Sequence, residues 1–258
     1  MTSKIPPPKQ YDTFATTYPT VESLPTSQIE SQLIHIALGD CTSLSILDLG
    51  GGNGMHARRA IKQANAASVD VVDISKEMLR IGQEIPFSSP EKLRWFEADV
   101  SKPLPSNLDL NEKGSYDIVM ANWVFDHALS EQDLKGMWKN VSDYLKPGGK
   151  FLGVRVRHIK TSYLEKGKYG VRFLDHEEID DGKGWKYVCE CLTEPRFSFG
   201  ATSMKSSLEL DEELPREFGL GGFELVEFGE TEVVKGDRGF WEEFLKEPSL
   251  VVVTGKKL

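Results

Sequence analysis

The chain predicts an α/β fold: a doubly wound, mostly parallel sheet carrying an inserted β-rich cover. From Ser45 to Val156 short apolar segments alternate with amphipathic ones, the pattern of right-handed βαβ crossovers in a sheet covered on both faces. Four of the segments deliver chemistry at their carboxyl ends: Asp48-Leu49-Gly50-Gly51-Gly52-Asn53-Gly54, Val71-Val72-Asp73, Glu97-Ala98-Asp99-Val100 and Met120-Ala121-Asn122. Carboxyl ends of strands are where open α/β sheets bind ligands.

Taken in order, Tyr11, Phe14 and Tyr18 stand at helical spacing and predict a short helix after a proline-rich start. Ser27-Gln28-Ile29-Glu30 fits a capping box and Ile29, Leu33, Ile34 and Ile36 give the apolar face of a helix that stops at Gly39. Strands follow at 45–49, 69–73, 93–97, 116–121 and 150–156, with helices at about 54–65, 75–84 and 130–145. The helix at 130–145 is the clearest, with a cap at Ser130, apolar Leu134, Met137, Trp138, Val141 and Leu145, and the turn Lys146-Pro147-Gly148-Gly149 after it.

Between Arg157 and about Ser207 the pattern becomes aromatic and β-prone. Tyr169–Phe173 and Trp185–Cys191, joined by Asp180-Asp181-Gly182-Lys183-Gly184, predict a hairpin over the sheet's carboxyl edge. Its aromatics either cover a flat organic acceptor or make a small core or dimer surface of their own. An α/β rhythm then resumes, with a helix near 210–218, a strand at 223–228, a helix at 240–245 and a strand at 250–254. The expected organisation over 1–258 is one domain: an N-terminal segment 1–26, a core 27–156, an insertion 157–207 and a completion of the sheet at 208–258.

Composition narrows the function. With 31 basic and 40 acidic residues the net charge is −9, which disfavours nucleic acid as a partner. The start lacks an apolar signal-like region and no stretch reaches the roughly 18 apolar residues of a membrane span, so a soluble, cytoplasmic enzyme without membrane contact is expected. The three cysteines, Cys41, Cys189 and Cys191, lack the CxxC spacing of a zinc site, and no metal is expected. Cys189 and Cys191 share one face of a strand, as inert residues or as a redox or metal pair.

A glycine cluster after a strand permits a tight turn and lets a ligand approach bare backbone. Gly52-Asn53-Gly54-Met55-His56-Ala57 also satisfies the GxGxxA dinucleotide fingerprint, so a nicotinamide enzyme is one reading. Asp48, two residues before the first glycine, argues against it, because a pyrophosphate there would meet an anion whereas a cationic ligand would be attracted. Asp73 and Asp99 have structural alternatives, a cap for the helix near Ser75 and a turn before Lys102-Pro103.

On the run Asp48-x-Gly50-x-Gly52-x-Gly54 and the three later strand ends, roughly residues 27–156 and the last two strands resemble the class I S-adenosylmethionine-dependent methyltransferases. The resemblance implies a seven-stranded Rossmann-like sheet whose last strand is antiparallel, and S-adenosyl-L-methionine as cofactor, released as S-adenosyl-L-homocysteine. Gly50, Gly52 and Gly54 would bring backbone against the methionyl part and ribose, Asp48 would hold the amino group, and Asp73 the ribose hydroxyls. Ile74 and Met78 would flank the adenine, Asp99 and Val100 would bond it, and Asn122 and Trp123 would lie beside the methionine part. Tyr11-Asp12-x-x-Ala15-x-x-Tyr18 is similar to the N-terminal segment of toxoflavin synthase-like small-molecule methyltransferases, which implies a lid in which Tyr11 and Tyr18 touch cofactor or substrate; Pro19 replaces the usual Asp.

Methyl transfer from a sulfonium requires alignment and exclusion of water, and a base where the acceptor carries a proton. His127 is the candidate base with Asp126 beside it; Phe125, Arg157 and His158 are candidate substrate contacts. The Asn-Pro-Pro-Tyr signature of enzymes that methylate nucleic-acid bases or protein glutamine would fall at Asn122-Trp123-Val124-Phe125, where both prolines are missing. The expected function is methylation of a small, aromatic or heterocyclic molecule by a monomer or homodimer. The alternatives are an NAD-dependent oxidoreductase and a non-catalytic methyltransferase-like binding module.

Overall fold

A computed structural model describes residues 7–179 and 182–258. Met1–Pro6 of the proline-rich start and Asp180-Asp181 of the expected turn lie outside the described residues.

The sheet has seven strands: β1 Ser45–Leu49, β2 Ser68–Asp73, β3 Leu93–Glu97, β4 Tyr116–Met120, β5 Leu145–Val156, β9 Leu220–Leu225 and β10 Leu250–Lys257. Their order is β3-β2-β1-β4-β5-β10-β9, and β10 runs antiparallel to both β5 and β9. The first five strands are mutually parallel, so β1 and β4 are neighbours whose connections leave in opposite directions. Such a switch point opens a crevice at the strands' carboxyl ends. Central strands read Ser-Ile-Leu-Asp-Leu and Tyr-Asp-Ile-Val-Met because both faces are covered, and Ile46, Leu47, Val119 and Met120 are fully buried.

Helices α2 Pro25–Leu38, α3 Met55–Ala64, α4 Lys76–Glu84 and α5 Glu131–Tyr144 supply the layers. Ser130 and Ser75 cap α5 and α4 through side chains that accept the amides of Asp133 and Met78. The expected capping box at Ser27 is not used: Leu24 is extended and Pro25 opens α2, which puts Ser27 inside the first turn. The Tyr11–Tyr18 segment is likewise not one helix, since α1, Pro7–Asp12, ends in turns and a 3₁₀ helix starts at Tyr18.

The insertion has three strands rather than a hairpin, β6 Val171–Ile179, β7 Gly184–Cys191 and β8 Phe197–Met204, paired antiparallel in that order. β8, with Ser198, Gly200, Ala201, Thr202 and Ser203, carries little of the β-branched signal that marks a strand, and pairing with β7 supplies what propensity does not. α1 is fastened to it twice through Gln10, whose amide donates to the Gly200 carbonyl and accepts the Gly200 N–H. Phe14 stacks on Phe197 at 4.8 Å, and Tyr11 lies 5.5 Å from Phe199. On its other end α1 reaches α4, where Asp12 accepts the Ser75 hydroxyl at 2.6 Å. The N-terminal segment therefore spans from the insertion to the sheet's carboxyl edge. Short helices α6 Ser162–Lys166, α7 Lys205–Leu208, α8 Glu213–Glu217, α9 Glu232–Gly236 and α10 Glu242–Lys246 complete the described fold. None of the described helices is long and apolar enough to cross a membrane.

Candidate functional site

The glycine turn after β1 is built on backbone that only glycine adopts readily. Gly50, Gly52 and Gly54 have φ of +69°, +56° and +71°. A Cβ on Gly50 would also meet Val124 at 2.7 Å, and one on Gly54 the Trp95 ring at 2.4 Å. Gly54 thus secures packing of the turn against β3 and does not itself line a cavity.

The turn borders a cavity of about 450 Å³, within the range of organic-ligand sites. Asp48, Gly50 and Gly52 reach it from the β1 turn, Asp73 and Ile74 from the end of β2, Met78 from the first turn of α4, and Asp99 and Val100 from the end of β3. Asn122, Trp123 and His127 enter from the segment after β4, and Tyr11 and Tyr18 close it from the N-terminal segment.

Asp73 accepts the Gly52 N–H at one oxygen and the Ser75 N–H at the other, both 2.8 Å. Burial pushes its carboxyl up to about 6, against the lowering effect of these amides. The helix cap is Ser75, so Asp73 braces the glycine turn and keeps further lone pairs for a ligand. Asp99 accepts the amide and hydroxyl of Ser101 at Oδ1 and fixes the turn beyond β3.

Asp48 is 1% exposed and neither carboxylate oxygen has a partner. Burial, with Asp73's charge nearby, pushes it up to about 8. An unpaired buried carboxylate is stable only when protonated or when a cation arrives.

A second cavity, about 100 Å³, shares Tyr11, Tyr18, Met55, Trp123 and His127 with the first and extends under the insertion to Phe173, Tyr187 and Phe199. At the boundary the Tyr11 hydroxyl lies 2.7 Å from His127 Nε2. Burial pulls His127 down to about 4, so the ring is neutral at pH 7, and it pushes Tyr11 well above the usual phenol range. With the ring hydrogen on Nδ1, Tyr11 donates to Nε2.

Asp126 and His127 do not orient one another. Asp126 accepts the Val156 N–H and the Ser203 hydroxyl, tying the post-β4 segment to β5 and β8. Phe125 lines neither cavity: it is fully buried, stacked 4.2 Å from Trp138. Trp123 has φ +63° and starts a 3₁₀ turn, Val124–His127, which sends Phe125 into the core and His127 to the cavities. Arg157 donates to the Leu208 carbonyl and, with His158, also stands outside both cavities.

Sequence reasoning missed Glu30, which accepts Trp123 Nε1 and His56 Nε2, each at 2.9 Å, and also missed Asn53, His56 and Ser75. Only the glycine run itself pointed at Asn53 and His56, and Glu30 had no signal beyond its place in a helix. Cys189 and Cys191 line the second cavity as free thiols, and among the described residues no group of three or more His, Cys, Asp or Glu is placed to hold a metal.

Residues 46–149 match the family model of the methyltransferase domain. Among curated proteins, 111 residues are 31% identical to the malonyl-[acyl-carrier protein] O-methyltransferase of Halalkalibacterium halodurans, over 42% of this chain and 37% of that one. A polyamine aminopropyltransferase of Prochlorococcus marinus is 27% identical over 45% of this chain and 42% of its own. The chain thus spans about two fifths of the length of these relatives. Among solved structures, the CcbJ methyltransferase of Streptomyces caelestis superposes with a TM-score of 0.57 at 18% identity, covering 90% of both chains. An S-adenosylmethionine-dependent methyltransferase of Mesorhizobium loti gives 0.57 at 18%, over 88% of this chain and 99% of that one. These likenesses extend the common fold beyond residues 46–149 to most of the chain.

Proposed function

We propose that this chain, whose residues 46–149 form a class I methyltransferase domain, transfers the methyl group of S-adenosylmethionine to a small, uncharged, aromatic or heterocyclic acceptor. The observation that carries the reading is Asp48, a buried carboxylate without a partner beside a left-handed glycine turn. The ammonium of the cofactor would satisfy it, and Asp73, with lone pairs left after bonding two amides, suits the ribose hydroxyls. Ile74 and Met78 give the adenine an apolar flank, with Asp99 and Val100 at its polar edge. When bound, the cofactor supplies an electrophilic methyl on a positively charged sulfur.

The acceptor is assigned to the second cavity because it meets the first at Tyr11, Trp123 and His127. Among the described residues no lysine or arginine lines it, its carboxyls are those of Glu30 and Asp126, and much of the rest is apolar, which disfavours an anionic acceptor. His127, neutral and bonded to the Tyr11 hydroxyl, takes the acceptor's proton directly or through Tyr11. The enclosing aromatic wall keeps water from competing for the methyl group.

Incubation with methyl-labelled S-adenosylmethionine and metabolite extracts, followed by mass analysis, should reveal a product heavier by one labelled methylene. Absence of labelled product from every extract, with the cofactor still bound, would make the chain a binding module instead. With the acceptor in hand, Tyr11→Phe should lower kcat about tenfold, the worth of one hydrogen bond in the proton path. The wild-type kcat should hold its plateau down to about pH 5, because His127 protonates only near 4; an acid limb centred above 6 would speak against His127.

A further inference from the structure

Eight buried side-chain nitrogen or oxygen atoms among the described residues have no hydrogen-bond partner, and five of them belong to residues lining the first cavity: both Asp48 oxygens, Asn53 Nδ2, His56 Nδ1 and Asn122 Nδ2. The orientation of the two amides is fixed. Asn53 Oδ1 accepts the Met55 N–H and Asn122 Oδ1 accepts the Val154 N–H, so the nitrogen is the free end of each. His56 is fixed too, since Nε2 donates to Glu30, whose same oxygen accepts Trp123 Nε1. The wall therefore offers one naked carboxylate, Asp48, two amide nitrogens that donate, and His56 Nδ1, which donates when the ring is an imidazolium.

That set complements a zwitterion. Asp48 suits an ammonium, but nothing yet named receives a carboxylate. Among the described lining residues there is no arginine, and the one lysine, Lys102, is held by Asp133 at 2.6 Å. His56 is 8% exposed, the second residue of α3, where the unpaired amides of the first helical turn also favour an anion.

We propose that His56, oriented by Glu30, receives the carboxylate of the cofactor's amino-acid end, with the Asn53 and Asn122 amides completing the set. The inference rests on the reading that this cavity holds S-adenosylmethionine. With both ring nitrogens protonated, His56 donates Nε2–H to Glu30 and Nδ1–H to the ligand. Glu30 is thus a positioning residue: it joins α2 to the ring and, through Trp123, to the segment after β4.

The test is calorimetric titration of the full chain with S-adenosylhomocysteine and with S-adenosyl-3-thiopropylamine, the same molecule without its carboxylate. The wild type should prefer the carboxylate-bearing ligand by about 10- to 100-fold, the worth of hydrogen bonds to a charged group. His56→Phe should cut the preference about tenfold by weakening only that ligand, leaving what the Asn53 and Asn122 amides supply, and binding of the decarboxylated one reports that the variant is folded. Where that variant fails to fold, Glu30→Gln should cut the preference about tenfold. A preference unchanged in the folded variants, or equal weakening of both ligands, overturns the inference. Wild-type protein that binds neither ligand overturns the proposed function and this inference with it.

Discussion

Asp48→Asn should weaken S-adenosylhomocysteine binding by about 3–4 kcal/mol, or 10²- to 10³-fold, because it removes the anion facing a buried ammonium. The same change should stabilise the ligand-free protein at pH 8. Asp48 sits at about 8 in the fold, raised by burial and by Asp73, against an ordinary carboxyl value near 3.8. A raised acid holds its proton more tightly when folded, so its contribution is complete below the unfolded value and is lost as pH rises toward 8. Asparagine carries no such penalty, and a gain on the order of 5 kcal/mol at pH 8 should appear as a higher melting temperature.

Ligand binding in the wild type should strengthen with pH from 6 to 8, by at most about tenfold per unit, since the ammonium requires the ionised form. The variant should show no such slope. Titrations at several pH values in buffers of different ionisation enthalpy check both, because Asp48 gives up as much as one proton per ligand bound in the wild type and the variant has none there to give.

Phe125→Ala should cost about 3–5 kcal/mol of stability, measured by denaturant unfolding, through the cavity left against Trp138 and Phe151. Arg155 also lies over the Phe125 ring at 5.5 Å, buried at 3% exposure with its Nε unpaired, so the truncation removes a cation–π partner as well. Cofactor affinity of the remaining folded protein should change less than threefold, an estimate from the additivity of separate sites. A large loss of affinity with little loss of stability would return Phe125 to the ligand site.

Phe125 shows where sequence reasoning ends. The strands of the core and the acids at their ends were legible because each depends on local spacing, such as the nineteen residues from Gly54 to Asp73. Direction within the loop after β4 was not, since it turns on the left-handed backbone of Trp123, a conformation that sequence pattern does not announce. Candidate contacts that looked equivalent in the string, Phe125, Asp126 and His127, part into core, inter-sheet tie and cavity wall.

Long-range pairs were equally hidden. Tyr11 meets His127 across 116 residues, and Glu30 reaches His56 only because α2 packs on α3. No motif encodes such a meeting. The capping box at Ser27 failed for a local reason, the prolyl residue at 25 claiming the first helical position two residues earlier. β8 was missed because small polar residues read as loop, although β7 pairs with it along its whole length.

The most direct measurement of the central claim is isothermal titration of the ligand-free protein at pH 8 with S-adenosylhomocysteine and, separately, with NAD. A saturable one-to-one heat with S-adenosylhomocysteine and none with NAD is the predicted result. No saturable heat with S-adenosylhomocysteine, or tighter binding of NAD, would contradict the account.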